Sequence, residues 1–134
     1  MIKILFLSAN PKRTKRLRLD EEVRAIRDKL NAATLRDDFT IEQEWALRVG
    51  DLQGHLMRHK PNIVHFSGHG SDEGEIILED EAGKSQAVPI PALDQLFAIL
   101  KRKIPISCVV LNSCFSKVQA TAIAKNIESV VGMS

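Results

Sequence analysis

Three stretches of the chain are almost continuously apolar and have the length of β-strands: Ile2–Leu7, Ile63–Ser67 and Ile106–Leu111. Apolar runs without alternation are typical of strands buried on both faces, as in a parallel sheet. A fourth stretch, Phe39–Trp45, alternates apolar and polar residues. This alternation predicts a half-buried strand near an edge of the sheet. A fifth strand is predicted to begin at Val130–Met133.

Helical periodicity fills the intervals between these strands. Apolar residues recur at helical spacing over about 18–36, 50–59, 91–103 and 118–127. Residues 75–80 and 86–88 flank a turn-rich segment, which predicts a β-hairpin. Alternating strands and helices predict an α/β fold with a mainly parallel central sheet and helices on both faces.

Composition fits one globular domain. The chain has 134 residues, 44% of them apolar, and a net charge of +2, which gives no indication of a nucleic-acid partner. The basic run at 12–18 is best explained as a solvated loop, with binding of an acidic group as the alternative. No segment approaches the ~20 apolar residues of a membrane span, and the N-terminus lacks the features of a signal peptide.

The spacing of the cysteines argues against a disulfide bond, and the surroundings of the histidines in the sequence argue against a metal site. Cys108 and Cys114 lie in one extended run, about 20 Å apart, which predicts free thiols and a cytoplasmic location. His55 and His59 are four residues apart on a predicted helix, a spacing that can bind a metal. Because no nearby carboxylate or third ligand is evident, we interpret them as surface histidines and predict no metal or cofactor.

The candidate chemistry lies just past two of the apolar strands. His69 follows the strand at 63–67, between two glycines, and Cys114 follows the strand at 106–111. Ligands bind at the carboxyl ends of parallel strands, and neighbouring strands end about 4.8 Å apart. A free thiol, with a pKa near ~8.5, is mostly protonated at neutral pH, and an imidazole can convert it to the nucleophilic thiolate. The pattern therefore indicates a Cys–His dyad.

The candidate dyad also has backbone donors beside it, and each of its two residues has an alternative, non-catalytic interpretation. The N–H groups of Gly70 and Cys114 are candidate donors to an oxyanion. Alone, such a cysteine is usually a small buried hydrophobic residue and such a histidine an ordinary loop residue, but their joint occurrence favours catalysis. His65 is interpreted as structural and Cys108 as a core residue. Three serines lack the G-x-S-x-G setting of a hydrolase nucleophile: Ser67, Ser113 and Ser116.

At these residues the sequence resembles the caspase-like superfamily of cysteine peptidases, and most closely its bacterial CHAT domains. The matching segments are 65–70, 111–116 and 130–133, and the opening at 4–11 also fits. The resemblance covers nearly the whole chain. It implies a caspase-like three-layer sandwich with strands ordered 2-1-3-4 followed by more. It also implies that His69 is the base, Cys114 the nucleophile and the backbone of Gly70 part of the oxyanion hole.

The resemblance also suggests a substrate pocket that includes Asn10, Arg13 and Asn112. Metacaspases have an acid two residues before the cysteine, which helps to select a basic P1 residue. Asn112 stands there in this chain, so a strong preference for arginine or lysine is not expected. Arg13 could reach a pocket that selects aspartate, as arginines do in caspases. The family continues past the strand at 130–133, so we interpret residues 1–134 as a CHAT-type peptidase domain truncated after its fifth strand.

The favoured hypothesis is a cytoplasmic cysteine endopeptidase that acts on proteins or peptides, with no nucleic-acid or membrane partner. The alternative is an inactive caspase-like module. Its exposed final strand would pair with another copy or with a missing C-terminal segment. A flavodoxin-like receiver or nucleotide binder is disfavoured, because no acidic pair or glycine-rich phosphate loop follows the first strand.

Overall fold

The computed structural model describes residues 2–9, 24–25, 27–29, 39–44, 48–70, 75–112 and 117–132. Residues 24–25 and 27–29 are helical and belong to the helix predicted over 18–36, whose other residues lie outside these ranges. The strands are β1 (Ile2–Ser8), β2 (Phe39–Glu44), β3 (Ile63–Ser67), β4 (His69–Gly70), β5 (Ile76–Glu79), β6 (Ser85–Val88), β7 (Cys108–Asn112) and β8 (Ser129–Val131). The helices are α1 (Leu52–His59), preceded by a 3₁₀ turn at Val49–Asp51, α2 (Ile90–Leu100) and α3 (Lys117–Ile123).

Five strands form one parallel sheet in the order β2-β1-β3-β7-β8. In chain order these are the five strands predicted from the apolar pattern, and the mainly parallel sheet is confirmed. The strand order also agrees with the expected 2-1-3-4 followed by a further strand. Each connection between parallel strands of the sheet requires a crossover. Helices α1, α2 and α3 lie in the connections from β2 to β3, from β3 to β7 and from β7 to β8.

The central strands are mostly apolar, and both faces of β1 are buried. On one face the strands are in register, so that apolar side chains form lateral rows across β1, β3 and β7. Helices α1, α2 and α3 pack their apolar residues into the same cluster. A smaller cluster covers the other face of β1, where Ile4 and Phe6 contact residues of β2 and β3. The rows on the first face are Leu5, Val64 and Val109, and Leu7, Phe66 and Leu111.

The two edges of the sheet differ in burial. Strand β2 lies at one edge and all six of its residues are half-buried, which confirms the prediction of a half-buried strand near an edge of the sheet. At the opposite edge, β8 pairs with β7 over three positions. Val131, its last residue, is 54% exposed. The fifth strand therefore begins one residue earlier than predicted and ends at Val131, and Met133 lies outside the described residues.

A second sheet, with antiparallel strands in the order β4-β5-β6, projects from the main one. It contains the predicted hairpin. The hairpin turn is closed by Asp80, whose Oδ1 accepts hydrogen bonds from the N–H groups of Ala82 and Lys84 at 2.8 and 2.9 Å. These backbone donors, that of Lys84 foremost, lower the pKa of Asp80. Gly83 takes the left-handed conformation in the turn, with φ of 79°, which glycine adopts without steric cost.

The described helices match the predicted stripes, but two of them end earlier than predicted, and α2, expected as far as residue 103, ends at Leu100. In α2, Leu93, Phe97 and Leu100 are buried and face the core. The helix predicted over 118–127 is shorter, because α3 ends at Ile123 and the chain continues in turns. The Asn126 amide nitrogen, beyond this end, donates to Asp94 Oδ1 of α2 at 2.7 Å. Within the described ranges, no helix has the length and apolar character needed to cross a bilayer.

Candidate functional site

The carboxyl ends of β3 and β7 lie side by side, which is the arrangement on which the predicted dyad depends. Ser67, the last residue of β3, pairs with Asn112, the last residue of β7. His69 follows Ser67 by two positions, and Cys114 follows Asn112 by two positions. The two candidate residues therefore have the same offset from a pair of neighbouring residues at one edge of the sheet. Cys114 lies outside the described residues, so its distance from His69 stays a prediction.

Backbone hydrogen bonds hold three strand ends together at this edge. The N–H of Ala9, just past β1, donates to the carbonyl oxygen of Ser67 at 3.2 Å. The N–H of Gly68 donates to the carbonyl oxygen of Asn112 at 3.4 Å. Because both bonds extend the parallel ladder beyond the last paired residues, the segment that leads into His69 has a fixed position against β1 and β7.

Gly68 is required at its position by close packing. A Cβ added there would lie 2.8 Å from Cζ of Phe66 and 3.1 Å from the carbonyl oxygen of Ala9. The Phe66 ring is buried in the core cluster and the Ala9 oxygen belongs to the backbone, so neither neighbour can move away easily.

Replacing Gly68 by alanine is expected to lower the free energy of unfolding by about 1–3 kcal/mol, because the new methyl group overpacks this strand end. Gly54→Ala is the matched control, since nothing lies within 4 Å of a Cβ there and Gly54 is within α1. That change is expected to raise stability by about 0.5–1 kcal/mol. Urea unfolding of both variants measures the two effects. Equal stability of Gly68→Ala and the unchanged chain would contradict the packing argument.

His69 belongs to a short strand rather than to a free loop. It lies in β4, beside Ile77 of β5, and Gly70 lies beside Ile76. Ile76 and Leu78 of β5 and Val88 of β6 are buried in the main core, so the second sheet is anchored to the first. His69 itself is half-buried. The residue assigned as the base is therefore held by pairing on one side and by the end of β3 on the other.

The predicted site residues fall into two groups. His69, Gly70 and Asn112 lie at the same edge of the sheet, and the half-buried Asn112 ends β7. Asn10, Arg13 and Cys114 lie outside the described residues, as does the basic run at 12–18. The substrate-pocket and nucleophile assignments of these three residues remain predictions.

The two residues interpreted as structural lie away from this edge. The His65 ring, in β3, packs on Phe6 with 4.7 Å between ring centroids. Cys108 is the first residue of β7, beside Ile63 and Ser129, at the end of the strand opposite to Asn112. It is half-buried rather than a core residue as predicted, because its side chain alternates with those of Val109 and Leu111 and so lies on the face of β7 opposite to the main core cluster. Burial raises the pKa of the Cys108 thiol, which keeps the thiol protonated and poorly nucleophilic.

A further group of side chains was missed at the sequence level. We found no carboxylate near His55 and His59 in the sequence, but Glu44, the last residue of β2, lies against both. Glu44 Oε1 is 2.8 Å from His59 Nε2 and 3.6 Å from His55 Nδ1. Arg58 Nη2 donates to the same oxygen at 2.5 Å. The hydrogen bond with His59, assisted by the hydrogen bond and positive charge of Arg58, lowers the pKa of Glu44 against the opposing effect of burial.

Comparison with known proteins finds a distant relative of this chain. A protein of Gillisia limnaea (strain DSM 15749 / LMG 21470 / R-8282), named "Probable protease", is 25% identical over 129 residues. The match covers 96% of this chain but 23% of that protein, so the chain spans about a quarter of the length of its relative. No family model matches the chain.

Proposed function

We propose that this chain is the catalytic part of a caspase-like cysteine peptidase of the CHAT type, with Cys114 as nucleophile and His69 as general base. The observation that carries the proposal is the register of β3 and β7. It pairs Ser67 with Asn112 and gives the two reactive residues equal offsets beyond that pair. The parallel sheet order and the protease name of the distant relative support the same reading.

The proposed reaction is acyl transfer through a thioester. His69 accepts the Cys114 proton, and the thiolate attacks the carbonyl carbon of the scissile peptide bond. The backbone N–H groups of Gly70 and Cys114 donate to the oxyanion that forms. When the C–N bond breaks, His69 returns the proton to the leaving amine. Water then attacks the thioester with His69 as base, which releases the new carboxylic acid and the free thiol.

The surroundings of the dyad bear on its substrate. Asn112 is uncharged and lies two residues before Cys114, so the pocket would lack the carboxylate that selects basic residues in metacaspases. Asn10 and Arg13 follow β1 in the chain and are the other proposed pocket residues. Reactivity that depends on a free thiolate also fits the proposed cytoplasmic location, where thiols are kept reduced.

The alkylation rate of Cys114 against pH tests the dyad without knowledge of the substrate. In a Cys108→Ala background, Cys114 is expected to react with iodoacetamide at about pH 6.5 at least ~10-fold faster than an ordinary thiol, because the imidazole maintains a thiolate there. His69→Ala is expected to remove this advantage. His65→Gln, which alters a histidine of the preceding strand, is the control and is expected to retain it.

A slow alkylation rate would contradict the proposed dyad. A slow rate that follows an ordinary thiol titration and does not change in His69→Ala would show that no dyad forms in this chain. The second candidate function, a non-catalytic module that assembles through its sheet edge, would then be favoured. Its support is β8, an edge strand three residues long whose last side chain, Val131, is 54% exposed. That reading requires a species larger than a monomer in size-exclusion mass measurement.

A further inference from the structure

Glu44, His55 and His59 bring one carboxylate oxygen and two imidazole nitrogens to one point on the surface. Their candidate ligand atoms all lie within 4.8 Å of one another. Glu44 ends the edge strand β2, whereas the histidines are one turn apart on α1. All three side chains are partly buried. We propose that these residues form a binding site for a divalent transition-metal ion of the Zn²⁺ type.

The kinds of ligand favour this class of ion. Two imidazoles and one carboxylate form a ligand set that Zn²⁺ uses in proteins, with water in the fourth position. Mg²⁺ and Ca²⁺ prefer sites made of oxygen ligands and are disfavoured by two neutral imidazoles. The site also includes the last turn of α1, where the negative end of the helix dipole favours a cation.

Two of the three separations between ligand atoms are close to the value that the ion requires. Tetrahedral zinc holds its nitrogen and oxygen ligand atoms about 3.3 Å apart. Here Glu44 Oε1 lies 2.8 Å from His59 Nε2 and 3.6 Å from His55 Nδ1, on either side of that value. Leu56, between the two histidines, is fully buried in the core and fixes which face of α1 points toward β2. Pairing with Leu7 of β1 fixes Glu44.

Arg58 provides the main alternative explanation of this cluster and also the means to test it. Its guanidinium contacts Glu44 Oε1 and lies 3.0 Å from His55 Nδ1. Arginine has no acceptor atom, so His55 Nδ1 accepts this hydrogen bond with the lone pair that the ion would use. The Arg58 side chain is 62% exposed and can turn into solvent. The guanidinium would therefore occupy the place of the metal ion and leave when the ion binds.

The proposed ion would link α1 to the edge strand β2, which among the described strands pairs with β1 only. Any ion that binds the folded state but not the unfolded state stabilises the fold in proportion to the logarithm of its concentration above Kd. This role is independent of His69 and Cys114. The inference therefore survives if the proposed peptidase function fails.

Calorimetric titration with Zn²⁺ alone, on chelator-treated protein, tests the site. The background is Cys108→Ala and Cys114→Ala, so that thiols do not bind the ion. We expect one ion per chain, and a Kd at least ~10-fold weaker in Glu44→Gln and in His59→Gln, because each removes a ligand. Glu42→Gln, the same change two residues earlier on β2, is the matched control and is expected to leave Kd unchanged. Arg58→Ala is expected to tighten binding, because it removes the competing cation.

Thermal unfolding with Zn²⁺ and with chelator gives a second readout that does not depend on the heat of binding. The melting temperature of the background protein and of Glu42→Gln is expected to rise with Zn²⁺, and that of Glu44→Gln is expected to stay constant. If the cluster is instead a structural ion pair without metal affinity, Arg58→Ala should have a lower melting temperature, and Zn²⁺ should not raise it. That result, or Zn²⁺ uptake that is the same in Glu44→Gln and His59→Gln as in the background, would overturn the proposal.

Discussion

Cys114→Ala is expected to lower kcat/KM for peptide-bond hydrolysis by at least ~1,000-fold, because loss of a nucleophile removes the covalent pathway and leaves only binding and oxyanion donors. The effect follows from the proposed thioester mechanism. In that mechanism neither water nor a neighbouring hydroxyl can replace the thiolate as the group that attacks the peptide bond. A pool of internally quenched peptides, with every residue type represented at the cleavage position, provides the substrate and avoids any assumption about P1 preference.

The neighbouring residue provides the control for this experiment. Ser113→Ala changes the adjacent side chain and is expected to retain most of the activity, because the hydroxyl has no role in the dyad. His69→Ala is expected to lose activity to a similar extent as Cys114→Ala, and the double variant little more, because the two residues act as a unit. Hydrolysis that survives Cys114→Ala would contradict the mechanism. So would a chain that cleaves none of the peptides.

The strands of the main sheet could be predicted because the burial of a strand determines its local pattern of apolar and polar residues. A strand covered on both faces must be apolar at successive positions, as in β1, where residues from Ile4 to Leu7 are buried. An edge strand with one covered face alternates, as in β2. Strand order was expected only through the resemblance, since no local pattern specifies which strand becomes the neighbour of β1.

The end of α3 could not be predicted from the same kind of pattern. Apolar residues recur at helical spacing as far as Ile127, which is buried. The helix nevertheless ends at Ile123. The side chain of Asn126 bonds both Oδ1 and the carbonyl oxygen of Asp94. A contact between this turn and α2, which is made only in the folded chain, thus accompanies the end of α3, and tertiary contacts of this kind override local helix propensity.

Only part of the candidate site could be predicted from the sequence, because some of its contacts form only in the folded chain. His69 could be placed at the carboxyl edge from its position after an apolar run, because every parallel strand ends at that edge. That Ser67 pairs with Asn112 could not be read from the sequence, since register depends on the whole sheet. The contact of Glu44 with His55 and His59 was missed because it joins a strand end to a helix face. A hint existed in the acidic residue that ends the alternating pattern of β2.

Leu100→Ala is expected to lower the free energy of unfolding by about 2–5 kcal/mol, the usual cost of a core cavity of this size. Leu100 is 0% exposed and belongs to the main core cluster. It ends α2, the crossover helix that leads toward β7, and its carbonyl oxygen accepts the N–H of Ile104 at 2.9 Å. Domains of this size have about 5–15 kcal/mol of total stability, so the loss is a large share of it.

Ile99→Ala is the matched control, because Ile99 precedes Leu100 in the same helix but is 49% exposed. The same loss of an apolar side chain is expected to change stability there by no more than about 0.5 kcal/mol, since the site stays in contact with water and leaves no cavity. Urea unfolding with an unchanged slope measures both variants. Similar midpoints for the two variants would contradict the packing of α2, and with it the placement of the crossover that brings β7 beside β3 and Asn112 beside Ser67.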